Sequence, residues 1–295
     1  MRLVCRRARC GTDGMHFPRL SRRAFLAAAT GCAFAGLART AGAAAAPGLP
    51  VDRVSGLPLI DNHVHLDTLG LSGVSEHARR IGVKVGVVEH AGKPGHPYPV
   101  LLSTDADLQR WRDRLEGANV FCGIQAEGLD WAAGFSPAAL AKLDFILTDA
   151  MTFVERDGRL VHLWKKDEVN ISDAEDFMDR YVAHHERTMA SGPLHILAAP
   201  MYLPDVLQPR ARELWTPSRM KRVVAAAAKH RVAIEITATR KLPTLPFLRL
   251  AKAAGVKFTF GTNGRTANVI GQLDYSLAMA RELGLTAADL FIPRS

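Results

Sequence analysis

Two histidines separated by one residue end a short apolar run, Pro58–Asp67 (PLIDNHVHLD). In an extended strand, residues i and i+2 point to the same face, so His63 and His65 are predicted to project together from the end of a strand. Two neutral imidazoles suit Zn, Fe, Mn or Ni, and the bend that follows at 67–73 leaves room for open coordination positions that face a substrate. The same pattern also fits a strand with two unrelated histidines, so the rest of the chain has to decide between these interpretations.

Seven apolar runs of strand length alternate with amphipathic segments of helical length after residue 56. The predicted strands are Leu57–His63, Val83–Glu89, Val120–Gln125, Phe145–Thr148, Leu194–Ala199, Val232–Thr237 and Val256–Gly261. The predicted helices are Ser75–Ile81, Ala106–Glu116, Pro137–Lys142, Asp173–Met189, Pro217–Lys229, Leu245–Ala253 and Asn268–Leu283. Strands that alternate with helices indicate a parallel sheet, and one composition throughout predicts a single α/β domain over 57–295, a TIM-like barrel of seven strands preceded by a linker at 47–56.

Helix caps and one insertion add detail to this pattern. Predicted caps are Thr104 or Asp105, Ser136, Ser172 and Thr216, with Pro137 and Pro217 in first turns. The polar stretch 154–169 interrupts the alternation. We expect it to cover the active face.

In such barrels the reactive groups lie at the carboxyl ends of the strands. Residues of metal-ligand type follow each of the first four predicted strands. A random distribution of these residue types would not place them so regularly at strand ends. They are His63 and His65, then Glu89 and His90, then Glu127, and then Asp149.

The net charge of +9 arises mostly from the N-terminal end. Eight of the 38 basic residues but only one of the 29 acidic residues lie in 1–46, so the remainder carries a net charge of +2. A basic footprint for nucleic acid is therefore not expected on the folded domain. Ser21–Leu26 (SRRAFL) resembles a twin-arginine export motif and precedes a short apolar run and A-x-A sites, so residues 1–46 are predicted to be a signal peptide recognised by the twin-arginine machinery.

That prediction places the mature protein in the periplasm or otherwise outside the cytoplasm. The apolar run is too short to span a bilayer, so no stable membrane anchor is expected, although Cys32 leaves a lipoprotein signal as an alternative. Removal of the segment would leave Cys122 as the remaining cysteine, so no disulfide framework is predicted.

The order of these strand ends resembles the PHP (polymerase and histidinol phosphatase) domain family, over most of the chain after Leu57. The family's H-x-H is similar to His63-Val64-His65, its T-D-H to Val88-Glu89-His90, and its bridging glutamate to Glu127 in Gly123–Glu127. Glu235-Ile236-Thr237 resembles its E-I-N, and Gly261–Thr266 lies where G-S-D-A-H-S is expected. The resemblance implies a distorted (β/α)7 TIM-like barrel that hydrolyses phosphoesters with up to three metal ions.

Four positions depart from that family's ligand pattern. Met151 and Ala199 stand where the family has histidines, and Asn263 and Arg265 stand where it has aspartate and histidine. A full cluster of three ions is therefore not expected, and the resemblance implies a reduced site for one or two divalent ions, zinc, manganese or iron.

The ligands implied for the first ion are His63, His65 and Glu127, with the Asn263 amide oxygen as a further donor. A second ion would need His90, Glu127 and Asp149. With one ion bound, a water of lowered pKa would be the nucleophile, Glu89, Asp149 or His90 the proton acceptor, and Arg265 the group that stabilises the leaving oxyanion. Arg265 could instead fill a dead site by pairing with Glu89 or Glu127.

Three functions remain open from the sequence. The first is an exported metal-dependent hydrolase of the PHP type that acts on a small anionic phosphoester. The second is a non-catalytic binding protein whose site has decayed. The third is an amidohydrolase-type barrel, which also begins D-x-H-x-H but requires eight strands. Glu235 is interpreted as a structural carboxylate or a partner of Arg240, and His184-His185 as part of a polar helix face.

Overall fold

Residues 48–294 are described by the computed structural model, and they form ten strands and eight α-helices. The strands are β1 (Ile60–Val64), β2 (Lys84–Val87), β3 (His90–Gly92), β4 (Val120–Glu127), β5 (Phe145–Asp149), β6 (Thr152–Val154), β7 (Leu160–His162), β8 (Ile196–Ala198), β9 (Ala233–Thr237) and β10 (Phe258–Gly261). The helices are α1 (Gly70–Ile81), α2 (Asp105–Leu115), α3 (Pro137–Leu140), α4 (Ala174–Ala190), α5 (Ala211–Leu214), α6 (Pro217–His230), α7 (Leu245–Ala253) and α8 (Asp274–Leu283). The predicted signal peptide lies outside the described residues.

The parallel strands form a nearly closed barrel with seven positions, in the order β1-β2-β4-β5-β8-β9-β10. β2 pairs with the first half of β4 and β3 with its last three residues, so β2 and β3 together occupy one position. At the closing seam the His65 amide donates to the Gly264 carbonyl at 2.8 Å, and the Gly264 amide donates to the His63 carbonyl at 2.9 Å. The predicted (β/α)7 barrel is confirmed, and the eight barrel positions of an amidohydrolase are not found in the described residues.

The barrel interior is apolar toward the amino ends of the strands and polar toward their carboxyl ends. The apolar end holds one buried cluster, which includes Ile60, Phe121, Phe145 and Leu147. The Phe145 ring fits because β4 carries Gly123 beside it: a β-carbon on Gly123 would lie 2.4 Å from the ring's Cζ. The space that a side chain at Gly123 on β4 would take is thus filled by the ring of Phe145 on β5.

We expect Gly123→Ala to destabilise the protein by about 1–3 kcal/mol, because an added methyl group must displace a buried ring in a packed interior. Denaturant unfolding measures this change. Gly73→Ala is a suitable control, because Gly73 lies within α1, where alanine favours the helix, and its new β-carbon would meet only the Leu69 side chain, 3.1 Å from its Cβ, a contact that a shift of a few tenths of an ångström relieves. Equal stability of Gly123→Ala and wild type would contradict this packing.

The helices follow the predicted segments, with three corrections at their N-termini. α1 begins at Gly70, five residues before the predicted Ser75, because Gly70 and Gly73 weaken the helical signal of its first turn. Thr104, Ser136 and Thr216 cap their helices as predicted. α4 is capped by Asp173 and not by Ser172, because the Asp173 carboxylate accepts from the amides of Glu175 and Asp176. α8 begins at Asp274 and not at Asn268, because Gly271 takes a left-handed conformation (φ 76°) and breaks the pattern.

The polar insertion contributes to an antiparallel hairpin, β6–β7, in which Thr152 lies opposite His162. Thr152 Oγ1 donates to the Glu127 carboxylate at 3.1 Å, so the hairpin lies at the carboxyl end of β4. This position agrees with the expectation that the insertion covers the active face. In the described residues, none of the helices is long and apolar enough to span a membrane.

His184 and His185 lie on the buried side of α4, and the interpretation of them as a polar surface is wrong. Both are fully buried, His184 against Phe153 and His185 against Tyr181. The error arose because helical periodicity was judged from residue polarity, and histidine is compatible with either environment. Burial lowers the pKa of His184 to about 3 and that of His185 to about 4.

We expect His185 to make the fold acid-sensitive. In the unfolded chain a histidine has a pKa near 6.5. The stability contributed by neutral His185 is therefore complete above about pH 6.5 and is lost as the pH falls toward 4, to a limit of about 3 kcal/mol. His185→Gln cannot be protonated but can still donate to the Tyr181 carbonyl, which His185 Nδ1 meets at 2.8 Å.

Unfolding free energies of the wild type and of His185→Gln at pH 7 and pH 4.5 measure this effect. The variant is expected to lose less stability on acidification. Parallel pH profiles for the two proteins would exclude His185 as the acid-sensitive group.

Candidate active site

His63 and His65 lie together at the barrel's carboxyl end, as the H-x-H spacing predicts. Their ring centroids are 5.5 Å apart, and both residues are buried. Asp61, two residues earlier, accepts from the Thr262 amide at 3.0 Å, from Thr262 Oγ1 at 2.6 Å and from the Gly271 amide at 2.9 Å. These bonds attach the end of β1 to the loop that follows β10, so the first histidine strand is held against the last strand of the barrel.

Glu235 on β9 orients His63 on β1, with β10 between the two strands. Its Oε1 lies 2.8 Å from His63 Nδ1, and its other oxygen accepts from the Thr237 hydroxyl and from the Ala199 amide. The structural interpretation of Glu235 therefore missed its main contact. Arg240 is not its partner, since the Arg240 guanidinium lies 4.5 Å from the centre of the Tyr202 ring.

Gln125 joins the histidines to the carboxylates, and the sequence analysis did not single it out. Its Nε2 donates to Glu127 Oε1 at 3.1 Å and to Asp149 Oδ2 at 3.3 Å, and its Oε1 lies 3.1 Å from His63 Nε2. This arrangement requires a proton on His63 Nε2. Burial alone would lower the pKa of His63, but the Glu235 carboxylate raises it above the usual value.

Glu127 is the central carboxylate, and it accepts three hydrogen bonds. The donors are His90 Nδ1 at 2.8 Å, Gln125 Nε2 at 3.1 Å and Thr152 Oγ1 at 3.1 Å. Burial raises the pKa of Glu127 to about 7, and these bonds oppose the shift only in part. Thr152 is a second contact that the sequence analysis missed.

Asp149 lies beside Glu127 and has two roles. Its Oδ1 accepts from the Met151 amide at 3.0 Å, which caps the turn after β5, while its Oδ2 accepts from Gln125. Burial, with the charge of Glu127, raises the pKa of Asp149 to about 6. Asp149 thus stands next to the predicted ligands, and Met151 packs into the apolar core.

His65 differs from its neighbours because neither of its ring nitrogens has a hydrogen-bond partner among residues 48–294, although both are buried. The ring stacks on that of His90 at a centroid distance of 5.0 Å. Burial and the charge of His63 lower the pKa of His65 well below its usual value, so the imidazole is neutral. The buried Oδ1 of Asn263 is likewise unpartnered. Asn263 tolerates the positive φ of 51° at this position.

Two predicted catalytic residues lie apart from this centre. Glu89 turns back so that its carboxylate accepts from the His90 amide at 3.1 Å. Arg265 forms an ion pair with Asp67 at the partly exposed rim, and not with Glu89 or Glu127. The Tyr98 ring stacks on the His90 ring at a centroid distance of 3.6 Å. Burial lowers the pKa of His90 to about 4.

The side chains at this site are of types that bind a divalent cation, but they are not arranged around a common ion position. In residues 48–294 no three His, Cys, Asp or Glu side chains stand ready to hold an ion. His63, His90 and Glu127 are engaged in hydrogen bonds, two of which involve Gln125. The unpartnered nitrogens of His65 are the observation that favours an ion here, since a buried polar group without a partner costs about 1–3 kcal/mol.

The comparisons with known proteins bear on the fold. No protein-family model matches the chain, and no curated protein sequence matches it. A histidinol phosphate phosphatase from Lactococcus lactis subsp. lactis, solved with zinc, L-histidinol and phosphate, is similar with a TM-score of 0.55 and 12% identity, over 79% of this chain and 98% of that one.

Two other solved structures are more distant. A chain in archaeal ribonuclease P with mature tRNA gives a TM-score of 0.34 at 14% identity, over 76% of this chain and 89% of that one. An HpcH/HpaI aldolase/citrate lyase family protein from Burkholderia cenocepacia gives 0.33 at 14% identity, over 77% and 94%. Both TM-scores are too low to show a shared fold. At 12% identity, the likeness to the phosphatase shows that the chain shares its barrel fold.

Proposed function

We propose that this chain is a metal-dependent hydrolase of the PHP type that cleaves a small anionic phosphoester. The observation that carries the proposal is His65, a buried imidazole without partners, beside His63, His90 and Glu127. The similarity in fold to a phosphatase solved with zinc supports the same proposal. The ligands proposed for one ion are His63, His65 and Glu127, with Asn263 Oδ1 as a further donor. When bound there, a divalent cation would supply Lewis-acid polarisation and lower the pKa of water in the site.

The protein's own groups can hold and accept protons near that position. Glu127 and Asp149 have pKa values of about 7 and about 6, which suit a general base at neutral pH. Gln125 Nε2 donates to both carboxylates and so fixes their orientation. Of these two acids, Asp149 is the better proton acceptor, because Glu127 is proposed as a ligand.

The rim favours an anionic substrate. Arg265 is partly exposed and paired with Asp67, so an incoming phosphate group would exchange for the aspartate and gain a guanidinium partner. His90 is stacked between His65 and Tyr98. Glu89 is oriented toward the backbone and is the weakest of the predicted catalytic residues.

A non-catalytic binding protein is the second candidate, and one observation favours it. Both ring nitrogens of His63 are already hydrogen-bonded, Nδ1 to Glu235 and Nε2 to Gln125. Met151 places a buried apolar side chain where the family has a ligand. In this case the site would hold its hydrogen bonds in place of an ion.

The proposal includes export. The twin-arginine-like Ser21–Leu26 supports delivery of a folded, metal-loaded protein to the periplasm, and the balanced charge of the remainder supports a small-molecule substrate and not nucleic acid.

Elemental analysis combined with an activity screen tests the function. The full chain is purified, its metal content is measured, and hydrolysis of L-histidinol phosphate and other phosphoesters is followed before and after chelation. We expect one or two equivalents of zinc, manganese or iron and activity that chelation abolishes and metal restores. A metal-free protein that remains inactive after metal addition would favour the binding protein.

A further inference from the structure

His162, on the second strand of the hairpin, is a buried histidine whose Nδ1, like that of His63, contacts a carboxylate. Its Nδ1 lies 2.6 Å from Glu168 Oε2, and its backbone amide donates to the same oxygen at 2.8 Å. Its Nε2 is buried and has no partner in the described part of the chain. An imidazole that donates one ring nitrogen to a carboxylate and leaves the other free is the arrangement typical of metal-ligating histidines.

Glu168 fixes which nitrogen is free. Its second oxygen accepts from Lys165 Nζ at 2.9 Å. A carboxylate in such an ion pair accepts hydrogen bonds and donates none, so Nδ1 of His162 carries the hydrogen and Nε2 is the free nitrogen.

The hairpin places His162 beside the candidate site. Thr152 lies directly opposite His162 in the antiparallel ladder, so the two side chains are on one face of the hairpin with their β-carbons about 5 Å apart. Thr152 Oγ1 donates to Glu127 Oε2, while His90 Nδ1 contacts Glu127 Oε1, so the hairpin meets the oxygen of Glu127 that does not face His90.

The hairpin also compensates for the loss at residue 151. The Leu163 amide donates to the Met151 carbonyl at 3.0 Å, so β7 returns along the segment where the family resemblance requires a histidine. The chain thus has methionine at the expected ligand position and an oriented histidine on the neighbouring strand.

We propose that His162 Nε2 is a ligand of a second divalent cation, which shares the Glu127 carboxylate with the first. This inference rests on the proposed function, because Glu127 is common to both ions. It replaces Asp149 as the source of the missing ligand, and it assigns the insertion a role in the site.

Zinc titration calorimetry of the full chain, freed of metal by chelation, tests this proposal without any substrate. His162→Asn is the informative variant, because an asparagine side chain keeps a donor near the Nδ1 position for Glu168 and removes Nε2. His162→Gln is the second variant, and His230→Ala, at the C-terminal end of α6, is the control for loss of one imidazole. Thermal unfolding by circular dichroism confirms that each variant is folded.

We expect two zinc ions per chain in the wild type and in His230→Ala, and one in His162→Asn, with the affinity of the remaining ion within about threefold of its original value. His162→Gln, if folded, is expected to weaken the second ion at least tenfold. Unchanged stoichiometry and affinity in His162→Asn overturn the inference, including the case in which His162 moves protons without binding metal. A wild type that binds a single ion also overturns it while leaving the proposed function intact, and a wild type that binds none overturns both.

Discussion

Replacing His65 by leucine is expected to abolish hydrolysis while making the metal-free protein more stable. The zinc affinity should fall by more than the roughly 100-fold that is typical when a group behind a ligand is lost, because His65 is itself a ligand. Its two ring nitrogens are buried without partners, so an apolar side chain of similar volume removes an unpaired polar group worth about 1–3 kcal/mol. A gain in stability together with a loss of function is the behaviour of a residue retained for chemistry.

His77 provides the matched control. It is also buried, but its Nε2 meets the Ile270 carbonyl at 3.2 Å, and its Nδ1 accepts from Arg80 at 2.8 Å. His77→Leu is therefore expected to destabilise the protein and to leave zinc binding unchanged. Urea unfolding of the metal-free proteins and zinc calorimetry give the two measurements. Strong destabilisation by His65→Leu, or wild-type zinc affinity in that variant, would contradict the role assigned to His65.

Replacing Glu235 by glutamine is expected to lower zinc affinity by about 10- to 100-fold, although Glu235 is not itself a proposed ligand. The carboxylate lies 2.8 Å from His63 Nδ1 and raises the pKa of that imidazole. A neutral amide keeps the shape and one acceptor but loses the charge that fixes the Nδ1 proton and makes Nε2 a better donor to metal. The effect should persist at high salt, because the pair is buried.

The same substitution at Glu282 is the control. Glu282 pairs with Arg249 on the surface, and exposed pairs of this kind contribute little. Zinc calorimetry and nuclear magnetic resonance titration of the His63 ring measure the affinity and the pKa in parallel. An unchanged affinity together with an unchanged pKa of His63 would show that Glu235 does not act on the site.

The barrel was predictable from the sequence because its signals are local. Strand-length apolar runs, helix caps and first-turn prolines each depend on a few neighbouring residues, and so the seven strand positions and most helix ends were obtained. Helix starts were predicted least accurately: α1 begins five residues before the predicted Ser75, α8 begins six residues after the predicted Asn268, and Asp173 caps α4 in place of Ser172.

The site was predictable only in part, because most of its contacts join segments that are distant in the sequence. His63 and His65 were placed together by period-two spacing within one strand. Glu235, 172 residues from His63, could not be assigned to it without the barrel closure. Gln125 lies two residues before Glu127 on the same strand face, and this spacing is a local signal that places the two side chains together.

The hairpin shows the same limit at longer range. Polarity alone identified 154–169 as an insertion over the active face. It could not show that β7 pairs with β6 in the register that places His162 opposite Thr152. Arg265 was placed at the correct end of the barrel, but its partner Asp67 was not foreseen, because surface ion pairs depend on side-chain reach and not on strand order.

The central claim is that imidazoles from the first strand and the Glu127 carboxylate meet at one divalent ion. Anomalous diffraction at the zinc absorption edge, from crystals of the full chain grown with Zn²⁺, tests it most directly. The account predicts a zinc peak about 2.0–2.2 Å from a ring nitrogen of His65 and from a carboxylate oxygen of Glu127. Crystals in which zinc binds only surface groups, and in which Gln125 still bridges His63 and Glu127, would contradict it.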